Sequence, residues 1–204
     1  MNMDENIDKY KKLTDIEHVL LRPSMYIGSM KIKNSYSWIH EGNKFIKRKI
    51  NYVPGFIKLF DEIIMNSIDE SKRESSKLNI IKVNINDNII SVFDNGGIPV
   101  VKNKEKEWIP EMVFSNMRAG SNFSDEEDRI WAGTNGVGSS CVNVFSKQFE
   151  LTTSDGKKKF YQKFNDNMKK RNKPVVRRSK KNFTEIKYKP DFKQFGMENI
   201  DDDH

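Results

Sequence analysis

The chain of 204 residues has one cysteine, Cys141, and only three histidines, His18, His40 and His204, set far apart. An internal disulfide framework is excluded, and no histidine or cysteine spacing suggests a metal cage. No apolar run approaches the length that spans a bilayer. The opening MNMDENIDKYKK carries acids and no apolar h-region, so neither membrane insertion nor secretion is expected, and an intracellular protein is. Apolar residues reach only 36% against 32% charged, yet thirteen phenylalanines argue for a packed core rather than disorder. The length suits one domain.

The net charge of +7 is unevenly spread. Between Lys157 and Lys181 stand twelve Lys or Arg and a single acid, Asp166, leaving the remainder of the chain acidic on balance. Such a segment either lies in water as a charged loop or attracts a polyanion, DNA being the obvious one. Its polar stretch from Lys169 to Lys181 reads as a mobile loop.

Several elements are legible. TDIEHVLL from Thr14, with Glu17 three residues on, reads as a capped short helix stopped at Arg22-Pro23. MYIGSM reads as a strand or extended segment. Pro54-Gly55 opens a helix over about Phe56 to Glu74, with Phe56, Leu59, Phe60, Ile63, Ile64, Ser67 and Ile68 at helical spacing. IIKVNIN and IISVF around Asp87-Asn88 predict a hairpin. Further helices are expected from Pro110 and over Val137 to Phe145. Strands are expected near Gln148 to Thr152, Lys158 to Phe164 and Glu185 to Tyr188, followed by an acidic tail after Asp191. The mixture implies an α+β two-layer sandwich, a mostly antiparallel mixed sheet with helices on one face.

Three stretches could carry chemistry. On the long helix, Glu62, Asn66, Asp69 and Glu70 share a second face, either a solvated one or a carboxylate one turn from an amide. In the latter case Glu62 takes a proton from water while the Asn66 oxygen ligates magnesium. AGTNGVGSS sets Gly133, Gly136 and Gly138 before a buried helix, a suitable seat for phosphate, although the Lys-Ser/Thr ending of a P-loop is missing. FDNGGIPV, residues 93–100, is a sharp turn at a strand end or part of a ligand site.

In order, FDEIIMNSIDE, DNGGIP, AGSNF, GTNGVGSS and FTEIKYKPD resemble the ATP-binding (Bergerat-fold) domain of the gyrase, heat-shock chaperone, histidine kinase and MutL (GHKL) superfamily. YKKLTDIEHVLLRPSMYIGS and YVPGFIKLFDEIIMNSIDE are similar to type II DNA topoisomerases of eukaryotic and phage type. The resemblance implies an N-terminal arm and opening strand over 1–30 and the ATP-binding domain over 31–204. It implies Glu62 as general base, Asn66 on magnesium, and Asp94 reading adenine with Thr184 and the Gly97 backbone. Ser121 and Asn122 would contact ribose and phosphates, Asn135, Gly136, Val137 and Gly138 would wrap the triphosphate, and Tyr10 would cross to a partner's nucleotide. The cofactors implied are ATP and Mg2+. The partners implied are DNA, a second copy on ATP binding, and the remaining topoisomerase domains or subunits.

Three departures refine this expectation. Asp94-Asn95-Gly96-Gly97 is one residue shorter than the family's Asp-x-Gly-x-Gly, Phe183 replaces a glycine before Thr184, and Ser140 stands where eukaryotic enzymes carry a lysine. The transducer and cleavage domains would follow His204, so the chain is expected to act as a fragment or one subunit and to turn over ATP weakly alone. The alternative is a nucleotide-responsive dimerisation or DNA-binding module without catalysis.

Overall fold

A computed structural model gives the fold and describes residues 12–117, 119 and 136–204. Helix α1, Asp15–Leu21, begins at Thr14 with both hydrogen bonds of a capping box, and its Val19 is fully buried. Strands β1, Lys33–Glu41, and β2, Lys44–Tyr52, form a separate two-stranded antiparallel ribbon. Helix α2, Pro54–Ser71, then crosses the core. Pro54 suits the first helical position because its missing N–H would have no partner there. Phe56, Leu59, Ile63 and Ser67 form its buried stripe, as the periodicity predicts.

The main sheet has seven strands. They are β3 (Ile81–Asn86), β4 (Ile89–Asp94), β5 (Ser146–Asp155), β6 (Lys158–Asn165), β7 (Lys170–Arg171), β8 (Val175–Arg178) and β9 (Asn182–Pro190). Their order is β3-β4-β9-β5-β6-β7, with β8 also on β6, and all these pairings are antiparallel. Asp87 and Asn88 both take positive φ in the β3–β4 turn, as a two-residue hairpin requires. Alternate residues of the central strands, among them Ile90, Val92, Phe149, Leu151, Phe160, Phe164, Ile186 and Tyr188, turn into one core. Against them lie α2 and two short helices, α3 (Ile109–Ser115) and α4 (Gly138–Val144), giving the expected two-layer α+β arrangement. Among the described residues no helix is long and apolar enough to cross a membrane.

Three sequence expectations need correction, and one element was not expected. MYIGSM, expected as a strand or extended segment, forms no strand: the 3-10 turn over Pro23–Met25 runs into its first residues and is closed by the Tyr26 and Ile27 N–H groups on the Pro23 carbonyl. The ribbon β1–β2 has no counterpart among the expected elements, although Gly42-Asn43 between two alternating runs is a hairpin signal. The loop expected from Lys169 contains β7 and β8, because Val176 packs against the core and draws the strand onto β6. The acidic tail is not a tail: Phe192 and Phe195 are buried, with Phe195 edge-on to Phe56 at 5.4 Å between ring centroids.

Beyond them, the last residues dock on the ribbon. Asp203 accepts from Arg48 at 2.6 Å and from the Asn51 N–H at 2.8 Å, and His204 Nε2 accepts from the Val53 N–H at 3.0 Å. The ribbon and the start of α2 are therefore held by the far end of the chain. Phe195→Ala is expected to lower the free energy of unfolding by about 3–5 kcal/mol, measured by urea denaturation, because it leaves a cavity among aromatic rings. A change below about 0.5 kcal/mol would mean that this segment is solvated.

Candidate nucleotide site

Between α2, the sheet and the start of α4 lies a cavity of about 750 Å³, within the usual range for a small-molecule site. Glu62, Asn66, Asp94, Gly97, Gly136, Val137, Gly138 and Thr184, singled out from the sequence, all line it. Tyr10, Ser121, Asn122 and Asn135 lie outside the described residues.

One end of the cavity is a row across three strands. Asp94 pairs with Thr184 on β9, and Thr184 pairs with Thr153 on β5. The Thr153 and Thr184 hydroxyls are 2.9 Å apart. Asp94 Oδ2 accepts from the Ser67 hydroxyl at 2.7 Å and Oδ1 from the Gly96 N–H at 2.9 Å. Burial pushes the Asp94 carboxyl above its ordinary value, and the bonds from Ser67, Gly96 and the Thr184 backbone only partly offset this. A carboxylate so held is fixed in direction, and its remaining acceptor capacity faces the cavity.

The shortened loop closes without loss. The Asn95 side chain accepts from the N–H groups of Asn79 and Ile80, the Ile98 N–H donates to Thr153, and the Val100 N–H donates to Asp155. Pro99 has no N–H, which leaves Gly97: among the described residues its amide has no protein acceptor. Only glycine fits there, since a Cβ would run into the Ser154 carbonyl. Phe183 does not obstruct this end. Its ring lies on the opposite face of the sheet, stacked on Phe93 at 5.9 Å.

The other end joins α2 to the glycine loop. Glu62 and Asn66 are one turn apart, and a Cβ on Gly138 would collide with the Glu62 carboxylate. Lys58 pairs with Glu62 at 2.6 Å, and Asn66 Nδ2 donates to the Ser139 hydroxyl at 2.8 Å. That bond commits the amide nitrogen and leaves the Asn66 oxygen as a ligand. Gly136 takes positive φ, and Val137, at the N-cap of α4, gives no side-chain cap, so the first N–H groups of the helix are donors at the cavity wall. Ser140 is buried against Met117 and the Val137 carbonyl and takes no place in the lining.

Cys141 is a core residue, as expected: burial, and then the Glu62 charge, push its thiol up to about 12. Sequence reasoning missed Ser67, Thr153, Ser139 and Lys58. Ser67 left a signal, being a hydroxyl on an otherwise apolar stripe that must find a partner.

No protein-family model matches the chain. It is 37% identical over 203 residues to DNA topoisomerase 2 of Arabidopsis thaliana and 41% identical over 206 residues to DNA topoisomerase 2 top-2 of Caenorhabditis elegans. Each match covers 96% of this chain and 14% of the relative, so the chain spans about a seventh of their length. The ATPase region of Saccharomyces cerevisiae topoisomerase II superposes with a TM-score of 0.90 at 37% identity, covering 97% of this chain and 55% of that one. The ATPase and transducer domains of DNA topoisomerase II from Balamuthia mandrillaris give 0.89 at 34%, covering 96% and 53%.

Because the folded state raises the Asp94 pKa, it binds the proton more readily than the unfolded chain, so ionised Asp94 costs stability at neutral pH. Asp94→Asn is therefore expected to be more stable than the parent at pH 7. Its advantage should shrink as pH falls through the raised Asp94 pKa towards the ordinary carboxylate range. Urea midpoints of both proteins from pH 7 to pH 4 check this.

Proposed function

The chain belongs to the type II DNA topoisomerases, in their ATPase region, and on that footing we propose that its cavity binds ATP with magnesium and hydrolyses it. The observation that carries the reading is a single cavity with a fixed carboxylate and a free glycine amide at one end, and a carboxylate-amide pair beneath an uncapped helix start at the other. Adenine offers an amino donor to Asp94 and a ring-nitrogen acceptor to the Gly97 N–H, with Thr184 alongside. The amides of Gly136, Val137 and Gly138 receive phosphate oxygens.

Glu62 takes the proton of a water that attacks the γ-phosphorus; the bond to the β–γ bridging oxygen breaks and ADP leaves. The Lys58 pair holds that carboxylate over the glycine loop. Magnesium favours oxygen donors and keeps several waters, which the Asn66 oxygen suits. When bound, the ion neutralises phosphate charge. Ser121, Asn122 and Asn135 supply further ribose and phosphate contacts in this reading.

Nucleotide binding closes two copies into a gate around a DNA segment, with Tyr10 reaching into the partner's site. Support for a partner comes from the ribbon β1–β2. Tyr36, Trp38 and Phe45 share one of its faces and are 69%, 67% and 71% exposed, a patch that monomers seldom leave in water.

Glu62→Ala is expected to lower phosphate release by about a hundredfold or more while a fluorescent ATP analogue still binds with magnesium. Undiminished release would remove Glu62 from the chemistry, and no saturable binding by the parent chain would favour the module without catalysis. Trp38→Ser is expected to weaken nucleotide-dependent dimerisation, measured by sedimentation, without weakening nucleotide binding to the monomer.

A further inference from the structure

Glu62 presents its two oxygens to different neighbours. Oε2 is the atom that a Cβ on Gly138 would strike, while Oε1 accepts from the Lys58 ammonium at 2.6 Å. The glycine loop and the lysine thus flank one carboxylate. Helix stability does not account for this lysine, because Lys before Glu is the weaker order at this spacing and a cation in the N-terminal half of a helix gains nothing from the dipole. The ammonium is half-exposed and has three N–H donors. Among the described residues only one of them has a protein acceptor.

The charges around the cavity give the spare donors a task. Among the described lining residues Glu62, Asp69, Glu70 and Asp94 oppose only Lys58 and Arg73, so the empty cavity is acidic on balance. Arg73 lies just past the far end of α2 and pairs with Glu70 at 3.0 Å. Lys58 is therefore the cation at the glycine-loop end. The order along α2 runs the same way: Ser67 holds Asp94, Asn66 and Glu62 meet Ser139 and Gly138, and Lys58 stands one turn beyond Glu62. A nucleotide with its base on Asp94 and its phosphates on the loop brings its last phosphate to Lys58.

We infer that Lys58 reads the terminal phosphate of a bound nucleoside triphosphate, bridging a γ-phosphate oxygen and Glu62 Oε1, and so makes the cavity prefer a triphosphate to a diphosphate. The inference rests on the proposed binding of ATP and adds the group that recognises what ADP lacks. A bond between an ammonium and a phosphate oxygen is charge-assisted on both sides, hence stronger than a neutral one. Glu62 keeps Oε2, on the loop side, for the proton of the attacking water. Once the γ-phosphate has left, ADP no longer reaches the ammonium, and the bond that favoured binding is gone.

The test is titration calorimetry of the whole chain with a non-hydrolysable ATP analogue and with ADP, each with magnesium. The parent is expected to bind the analogue about tenfold or more tightly than ADP, the size of one hydrogen bond to a charged group. Lys58→Met should lower analogue affinity by about that factor and leave ADP affinity within about twofold, so that the preference disappears. Lys58→Gln provides a second variant with the same expectation, and urea midpoints near the parent value show that both remain folded. Lys58→Arg should keep most of the preference. Glu62→Gln should keep it as well, because the ammonium remains, and so should Arg73→Met, which removes a cation from the other end of the cavity. A preference unchanged in both Lys58→Met and Lys58→Gln, or equal losses for the two nucleotides, overturns the inference alone. So does loss of the preference in Glu62→Gln, which would make Lys58 no more than a partner for the carboxylate. Binding of neither nucleotide by the parent overturns the ATP reading and this inference with it.

Discussion

The close approach of α4 to α2 is the contact on which the candidate site depends. One face of α2 is fixed by burial of Phe56, Leu59 and Ile63, which leaves Glu62 and Asn66 to face whatever lies beside it. What lies there is Gly138, so near that a side chain would displace the Glu62 carboxylate. The absence of one Cβ thus sets a proton acceptor, an amide oxygen and the amides of a helix start around one space. Burial of Cys141, Val142 and Val144 holds α4 in that place, so core packing and site geometry are a single constraint.

The opposite end of the cavity is organised by the sheet. Asp94, Thr184 and Thr153 occupy neighbouring strands in one row, so strand register rather than loop conformation sets their spacing. Holding a carboxylate in that row opposes stability, as its raised pKa indicates. Serine on α2 and the Gly96 amide offset part of that cost. A group kept in an unfavourable environment with fixed partners is what a recognition site requires.

Much of this is legible in the sequence because it rests on local signals. The capping box at Thr14, the stripe on α2, the Asp87-Asn88 turn and the glycines before α4 each have a short-range physical cause, and each element stands where expected. Illegible features come from long-range pairing. Val175 and Val176 are too few to announce a strand among lysines, yet β6 supplies a ladder for them. Phe192 and Phe195 sit in a polar stretch, and only the gap beside Phe56 makes them core. Phe183, standing where a glycine is usual, suggests an obstruction until the alternation along β9 is followed through: the residue before an inward threonine faces outward.

Beyond the cavity lies the exposed aromatic face of the ribbon, which acquires a purpose if nucleotide binding is the event that brings two copies together. The central claim is that the cavity between α2, the sheet and α4 holds the nucleotide. Amide chemical-shift mapping by NMR during titration with magnesium and a non-hydrolysable ATP analogue tests it most directly. The account predicts that the largest shifts fall on Gly97 and on Gly136 to Ser139, with smaller ones along Glu62 to Ser67. Shifts confined to the outer sheet face around Lys82, Phe93 and Lys187, or none at saturating analogue, would contradict it.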